Sequence, residues 1–244
     1  MLELVMLDTA FVLAICAVLA GLAYWRGLLT PSGSVGAFVM GLVIGIMGGL
    51  EWVLVLLIFL LSSFAATRYR FEAKRAMGQQ EGSRGERGFS NVVANGLVAC
   101  VAAALHPWLG DKAAILFLAA VAAAASDTLA SELGVLHPNA YIITSGRRVA
   151  PGTNGAVSLG GTVWAFVAAA YTALVGCAVF AWTGALELTL VALSVPMLAG
   201  FLGCQIDSVF GATLEARGVL SKLTNNLASI TLATALAAAV MFLV

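Results

Sequence analysis

The sequence predicts an all-α fold, a polytopic transmembrane bundle of about eight helices forming one domain over 1–244. Composition is the first reason: 61% of the residues are hydrophobic and 10% are charged, against roughly 25% charged in a soluble domain. With a mean hydropathy of +1.03, the chain cannot cover itself with polar surface, so lipid must be its solvent. The second reason is that apolar stretches recur at the length of a bilayer crossing. The third is a one-sided distribution of basic residues between successive loops.

A bilayer core takes about 20 apolar residues as a helix, with a range of about 17–25. Reading by that length gives spans near 8–24, 33–49, 51–67, 91–107, 112–133, 155–182, 186–213 and 224–244. The first is preceded by Glu3 and Asp8 and by no Lys or Arg, unlike the basic start of a cleaved signal peptide, so it is expected to stay as a helix. The second and third are short and nearly contiguous, which leaves a re-entrant hairpin open there. Gly41, Gly45 and Gly49 recur every fourth residue in the second, predicting a small-residue face for close helix packing.

Loops one, three, five and seven hold Arg26; Arg68, Arg70, Lys74, Arg75, Arg84 and Arg87; Arg147 and Arg148; Arg217 and Lys222. The even loops hold Lys112 alone, so eleven of the twelve basic residues fall on one side. The positive-inside rule makes that side cytoplasmic and both termini external; in a prokaryote the membrane would be the cell membrane. The formal net charge is zero, so no basic field argues for nucleic acid. Cys16, Cys100, Cys177 and Cys204 lie singly in apolar stretches and read as packing residues, without the spacing of a zinc site. The third loop, about 68–90, is polar and glycine-rich. It reads either as a flexible connector or as a phosphate-gripping segment with Arg84 and Arg87 as donors.

Polar clusters interrupt the apolar helices, all toward the same side. They are S-D-T-L-A-S-E-L-G at 126–134, P-G-T-N-G-A-V-S-L-G-G-T at 151–162, Q-I-D-S-V-F-G-A-T-L-E at 205–215 and S-K-L-T-N-N-L-A-S at 221–229. A pattern D-[ST], loop, T-N-[GN]-x-x-S-[LI] occurs twice, at Asp127 with Thr153-Asn154 and at Asp207 with Thr224-Asn225. It suggests a tandem duplication with halves of about 112–182 and 186–244, placing two Asp/Asn sets side by side.

Carboxylates inside a membrane helix are costly and point to function by default. The bland alternative is that they pair with Arg147, Arg148 or Lys222 to lock helices together. The sharper reading is a magnesium site, in which hard oxygen ligands leave positions for substrate phosphates. Asp127 and Asp207 are its expected ligands, with Glu132 and Glu215 as lesser ones. Asn154, Asn225 and Asn226 are expected at helix starts, where unpaired N–H groups either are capped or face an anion. No G-x-x-x-x-G-K-[ST] sequence occurs, so any nucleotide site is of another design.

The four motifs, with S-G-S-V-G-A-F at 32–38 and V-A-N-G at 93–96, resemble those of the membrane family of the plant phytyl-phosphate kinase of tocopherol synthesis. A more distant similarity joins them to CTP-dependent polyprenol kinases and CDP-lipid-forming enzymes. The resemblance spans nearly the whole chain. Two departures stand out: Leu129 replaces the tryptophan of a common D-T-W, and the basic run before V-A-N-G is reduced to Arg84 and Arg87.

The resemblance implies an isoprenyl-monophosphate kinase acting on phytyl, farnesyl or geranylgeranyl phosphate, with Mg²⁺ and a nucleoside triphosphate such as CTP. Asp127, Asp207, Asn154 and Asn225 form the expected catalytic set. Thr153, Arg147, Arg148, Lys222, Arg84, Arg87 and Asn95 form the expected phosphate-binding set. The rival classes are a transporter or flippase of a phosphorylated lipid and a CTP-dependent lipid cytidylyltransferase. Acids gathered at one face, away from the midplane where transporter sites usually lie, count against transport.

Overall fold

A computed structural model of the protein describes residues 2–243, with side chains described from residue 9. The helices are α1 (Leu2–Trp25), α2 (Pro31–Met47), α3 (Leu50–Arg68), α4 (Phe71–Ala76), α5 (Phe89–Ala104), α6 (His106–Leu109) and α7 (Asp111–Gly134). Three short strands follow, β1 (Ala140–Ile142), β2 (Arg148–Val149) and β3 (Ala156–Val157), and then α8 (Leu159–Thr183). Helix α9 (Leu190–Phe210) runs on into a π-helical turn (Gly211–Glu215) before α10 (Lys222–Leu243).

An apolar helix occupies each of the eight expected spans. Those at Leu50–Arg68, Asp111–Gly134, Leu159–Thr183, Leu190–Glu215 and Lys222–Leu243 are long and apolar enough to cross a membrane. Helix α2 has 17 residues and α5 has 16; at 1.5 Å per residue they are ~24–26 Å long, short of a ~30 Å hydrocarbon core.

Helix α7 is the hub. Its apolar window is 94% buried, against 28–44% for the other four long helices, because α3, α5, α8, α9 and α10 all pack on it. Its alanine-rich sequence permits this. A methyl group at Gly200 or Gly203 of α9 would lie 2.8 Å from the Cβ of Ala122 or Ala123. Small residues on both partners bring the backbones together, the usual way helices associate in lipid. In α2, Gly41 and Gly45 pack on Cys16 and Val12 of α1. Gly49 does not join that face: at φ +119° it forms the turn into α3.

The odd loops meet at one end of the bundle. Thr30 N–H donates to the Arg87 carbonyl and Arg87 N–H to the Leu28 carbonyl, tying loop one to loop three. Glu81 faces Lys222 at 3.9 Å, tying loop three to loop seven. At the opposite end His106 Nδ1 lies 3.0 Å from the Met47 carbonyl, and Lys112 sits over the Phe242 ring. The segment after α7 is more ordered than a plain connector. It forms an antiparallel sheet in the order β2-β1-β3, with Tyr141 between Arg148 and Val157.

Candidate functional site

The polar clusters line one cavity of about 170 Å³ where the odd loops converge. Asp127 reaches it from the last turns of α7 and Asp207 from the end of α9, and the two carboxyl groups lie within hydrogen-bonding reach of each other. Helix α10 holds both. Asn226 Nδ2 donates to Asp127 Oδ2 at 3.3 Å, and the Ser229 hydroxyl donates to Asp207 Oδ1 at 3.1 Å.

Glu215 lies two turns past Asp207, across the π-helical turn. Asn154 Nδ2 donates to its Oε1 at 2.8 Å, and Asn225 Nδ2 donates to its Oε2 at 3.4 Å and to the Asp207 carbonyl at 3.1 Å. One asparagine from each T-N segment therefore grips the same carboxylate. Both acceptors of the Asn225 amide are oxygens, which fixes its orientation and leaves its buried Oδ1 with no donor among the described residues.

The approach of the 151–157 loop depends on Gly155. Its φ is +71°, and a Cβ there would stand 2.2 Å from the Ala212 nitrogen in the π-helical turn. Widened turns of this kind cluster at functional sites. Asn154 is not at a helix start, contrary to expectation. Ser158 caps α8 by accepting from Gly161 N–H, because Asn154 and Gly155 are used in the turn that leads into β3. Asn225 lies in the first turn of α10, after Ser221 and Thr224, which exchange hydrogen bonds at the helix start.

Glu132 borders the cavity, but its partner is Lys74 and not the expected Arg147, Arg148 or Lys222. Lys74 Nζ donates to Glu132 Oε2 at 2.5 Å and to the carbonyls of Ala66 and Thr67 at 2.9 and 2.7 Å. Three oxygen acceptors satisfy all three donors of an ammonium that is completely buried. Arg70 makes this possible. At φ +50° it is the one non-glycine at positive φ among the described residues, and its turn sends α4 back onto the bundle.

Of the other expected residues, Thr153 and Lys222 line the cavity with the acids. Arg147 and Arg148 lie outside it on the exposed β1–β2 hairpin, where Arg148 donates to Asn139 at 2.8 Å. Asn95 is buried in α5, donating to the carbonyl and side chain of Asn91. Arg84 is exposed in a turn held by Glu86, whose carboxylate accepts from the Ser83 hydroxyl and the Arg84 amide, each at 2.6 Å. These bonds hold the Glu86 carboxyl down to about 2. Arg87 is buried, with its Nη2 donating to Thr67 at 3.3 Å and its guanidinium over the Phe64 ring. Burial pulls its pKa down, and Glu81, Glu132 and Asp127 oppose that pull. The loop is thus pinned to the bundle through Lys74 and Arg87.

Sequence reasoning did not assign Lys74 or Glu81 to the site. A lone Lys among positive-inside charges, and a lone Glu in a glycine-rich loop, carry no periodic signal. Asn226 and Ser229 belonged to the repeated pattern and could have been chosen from it.

Asp127 and Asp207 offer adjacent hard oxygens with no imidazole beside them; the Cys204 thiol also lines the cavity, but two carboxylates are a donor set that suits Mg²⁺ completed by water and phosphate oxygens. Among the described residues, no group of three or more His, Cys, Asp and Glu stands ready to hold a metal by itself. The remaining ligands would come from outside the protein.

A bundle of apolar helices around a buried hub, with an acid-lined cavity at one end, defines a multi-pass integral membrane protein with a polar site close to one face of the bilayer. The chain belongs to the family described as integral membrane protein DUF92, whose model matches residues 14–239. It is 34% identical over 215 residues to the uncharacterized membrane protein sll0875 of Synechocystis sp., covering 84% of this chain and 78% of that one. It is 31% identical over 211 residues to the uncharacterized membrane protein MJ0933 of Methanocaldococcus jannaschii, covering 86% and 84%. It is 28% identical over 209 residues to Protein VTE6, chloroplastic, of Arabidopsis thaliana, covering 83% of this chain and 61% of that protein. No solved structure matches it.

Proposed function

We propose that the protein is an isoprenyl-monophosphate kinase, transferring the terminal phosphate of a nucleoside triphosphate, such as CTP, to a phytyl-, farnesyl- or geranylgeranyl-type monophosphate. The observation that carries this reading is the meeting of Asp127 and Asp207, aimed by Asn226 and Ser229, in a cavity at one end of the bundle. The motifs' resemblance to the family of the plant phytyl-phosphate kinase, together with the similarity to Protein VTE6, chloroplastic, supports a prenyl-phosphate role. The location at one end, and not at the midplane, favours a surface enzyme over a transporter. By the positive-inside rule the active face is cytoplasmic.

The acceptor needs no general base. A phosphate monoester is largely dianionic near neutral pH, since its second pKa is about 6. One of its oxygens forms a bond to the terminal phosphorus of the donor. The bond from that phosphorus to its bridging oxygen breaks, and the nucleoside diphosphate leaves with the electron pair. Catalysis is then positioning and charge neutralisation.

The charge balance of the cavity bears on that. Glu81, Asp127, Glu132, Asp207 and Glu215 line it, with Lys222 beside them and Glu132 already paired with Lys74, so a polyphosphate would enter with divalent cations. Bound Mg²⁺ supplies that neutralisation and Lewis acidity toward the phosphate oxygens. Asp127 and Asp207 would hold it, and Glu215 keeps Asn154 and Asn225 in place. Lys222 neutralises the donor phosphates, with Thr153 as a further donor at the rim.

The test is phosphate transfer by detergent-purified protein with Mg²⁺, isoprenyl monophosphates and each γ-labelled nucleoside triphosphate. Label in an isoprenyl diphosphate, with release of nucleoside diphosphate, is expected. Release of pyrophosphate would instead make the protein a cytidylyltransferase. No transfer from any donor would sink the enzyme reading and bring lipid-phosphate transport in liposomes to the front.

A further inference from the structure

The cavity has a side wall toward lipid, and that wall is built from facing residues of α8 and α9. The two helices pack tightly where Gly200 meets Ala169, a methyl at Gly200 lying 3.1 Å from the Ala169 Cβ. One step nearer the cavity, Phe166 and Phe201 stack edge to face with centroids 6.1 Å apart. One helical turn beyond that aromatic pair come Thr162 and Gln205, and both line the cavity.

Gln205 sits between Leu202 and Val209 on the outer stripe of α9, both exposed on the lipid-facing surface. On the α8 side Val163 and Phe166 are also exposed. A primary amide on a lipid stripe is costly unless it has a partner, and the side chain of Gln205 makes no hydrogen bond among the described residues. The chain thus carries a polar side chain, with no protein partner among the described residues, where the cavity and the hydrocarbon meet.

We propose that the seam between α8 and α9, where cavity-lining residues adjoin the exposed apolar surface, is the lateral portal of the site. The anionic head of a single-chain isoprenyl phosphate enters through it beside Thr162 and Gln205. The tail lies along the seam over Phe166 and Phe201 and reaches the bilayer beside Val163 and Leu202. A single unsaturated chain is slim enough to lie along the seam between two helices. Gln205 then acts as a rim donor to the phosphate or its ester oxygen, and the aromatic pair limits how deep the chain can bend inward. The proposal rests on the isoprenyl-phosphate reading, and it adds the route and the residues that read the tail.

The test uses full-length protein in nanodiscs and a farnesyl monophosphate bearing a diazirine on the isoprene unit nearest its phosphate. After irradiation, the labelled peptides are mapped by mass spectrometry, with and without excess unlabelled farnesyl monophosphate. The expected result is competed label on 162–166 and 201–205. Thr162→Trp should reduce that label by at least about tenfold, the scale on which a blocked apolar pocket discriminates, with unchanged thermal unfolding. Gln205→Leu, which fits the lipid stripe and so keeps the fold, should weaken competition by the unlabelled phosphate several-fold.

Competed label on α3, α5 or α10 would overturn the portal while leaving the isoprenyl-phosphate reading intact. Label that the unlabelled phosphate cannot displace anywhere on the chain would overturn both.

Discussion

Lys74 and Glu132 form an ion pair at 2.5 Å in which the lysine side chain is 0% exposed and the glutamate 10%. The pair joins the short helix α4, in the loop between two spans, to the central helix α7. Removing one partner leaves a charge buried without compensation, which costs about 3–5 kcal/mol. Lys74→Met and Glu132→Gln are each expected to destabilise the detergent-solubilised protein by about that much in a denaturation series. The combined Lys74→Met, Glu132→Leu variant should recover most of the loss, because an apolar pair of similar volume needs no compensation. If the double variant is no more stable than the singles, the pair acts through something other than buried charge.

Gly155 controls how the 151–157 loop meets the π-helical turn. Gly155→Ala puts a methyl 2.2 Å from the Ala212 nitrogen, in a backbone conformation at φ +71°. The left-handed conformation costs roughly 1–2 kcal/mol for a residue with a Cβ, and the forced overlap adds about 1–3 kcal/mol. The loop is expected to lift away, taking Asn154 off Glu215. Phosphate transfer by Gly155→Ala should therefore fall far more than global unfolding alone explains. Gly184→Ala is the control: it also has positive φ, but there a methyl meets nothing within 4 Å.

The eight apolar helices were legible because a lipid-facing helix is written in length and hydropathy, quantities that need no partner. The convergence of Asp127 and Asp207 was legible for a related reason, since each acid interrupts an apolar run and carries the same neighbours. What stayed hidden depends on tertiary geometry. Lys74 looked like one more positive-inside charge, because the turn at Arg70 that buries it has no glycine to announce it. Arg147 and Arg148 are near Asp127 in sequence order, but the small sheet turns their hairpin out of the cavity. Asn154 resembled a cap because its T-N context matches Asn225, which does lie in the first turn of a helix.

Glu86 gives the loop a pH signature. Its carboxyl is held down to about 2 from an ordinary 4.5 by hydrogen bonds from Ser83 and Arg84. For a depressed carboxyl, the stabilisation is complete above the unfolded-state value and is lost as pH falls through the folded one. The turn at 82–86 should therefore stay closed from neutral pH down to about 4.5 and open progressively toward about 2. Hydrogen exchange at the Ser83 and Arg84 amides, corrected for intrinsic rates, measures this. Glu86→Gln should remove the pH dependence and leave those amides weakly protected throughout. An unchanged profile in that variant would show that another acid closes the turn.

The decisive substitutions are at the paired aspartates. Asp127→Asn and Asp207→Asn keep the size of each side chain and a carbonyl oxygen for the α10 donors, so the fold should persist within about 1 kcal/mol or become more stable, since a buried charge is removed. Each loses an anionic ligand, and transfer should drop by at least about a thousandfold, the scale on which electrostatic stabilisation of phosphoryl transfer operates. Binding of Mn²⁺ by the purified protein, followed by electron paramagnetic resonance, is a readout that needs no turnover and should be weakened by both. Lys222→Met should instead leave Mn²⁺ binding intact and raise KM for the nucleotide about tenfold, as a single lost phosphate contact would. Transfer that survives both aspartate substitutions would keep the enzyme but move its metal elsewhere. Glu215, with two asparagines already gripping it, is the carboxylate to test next.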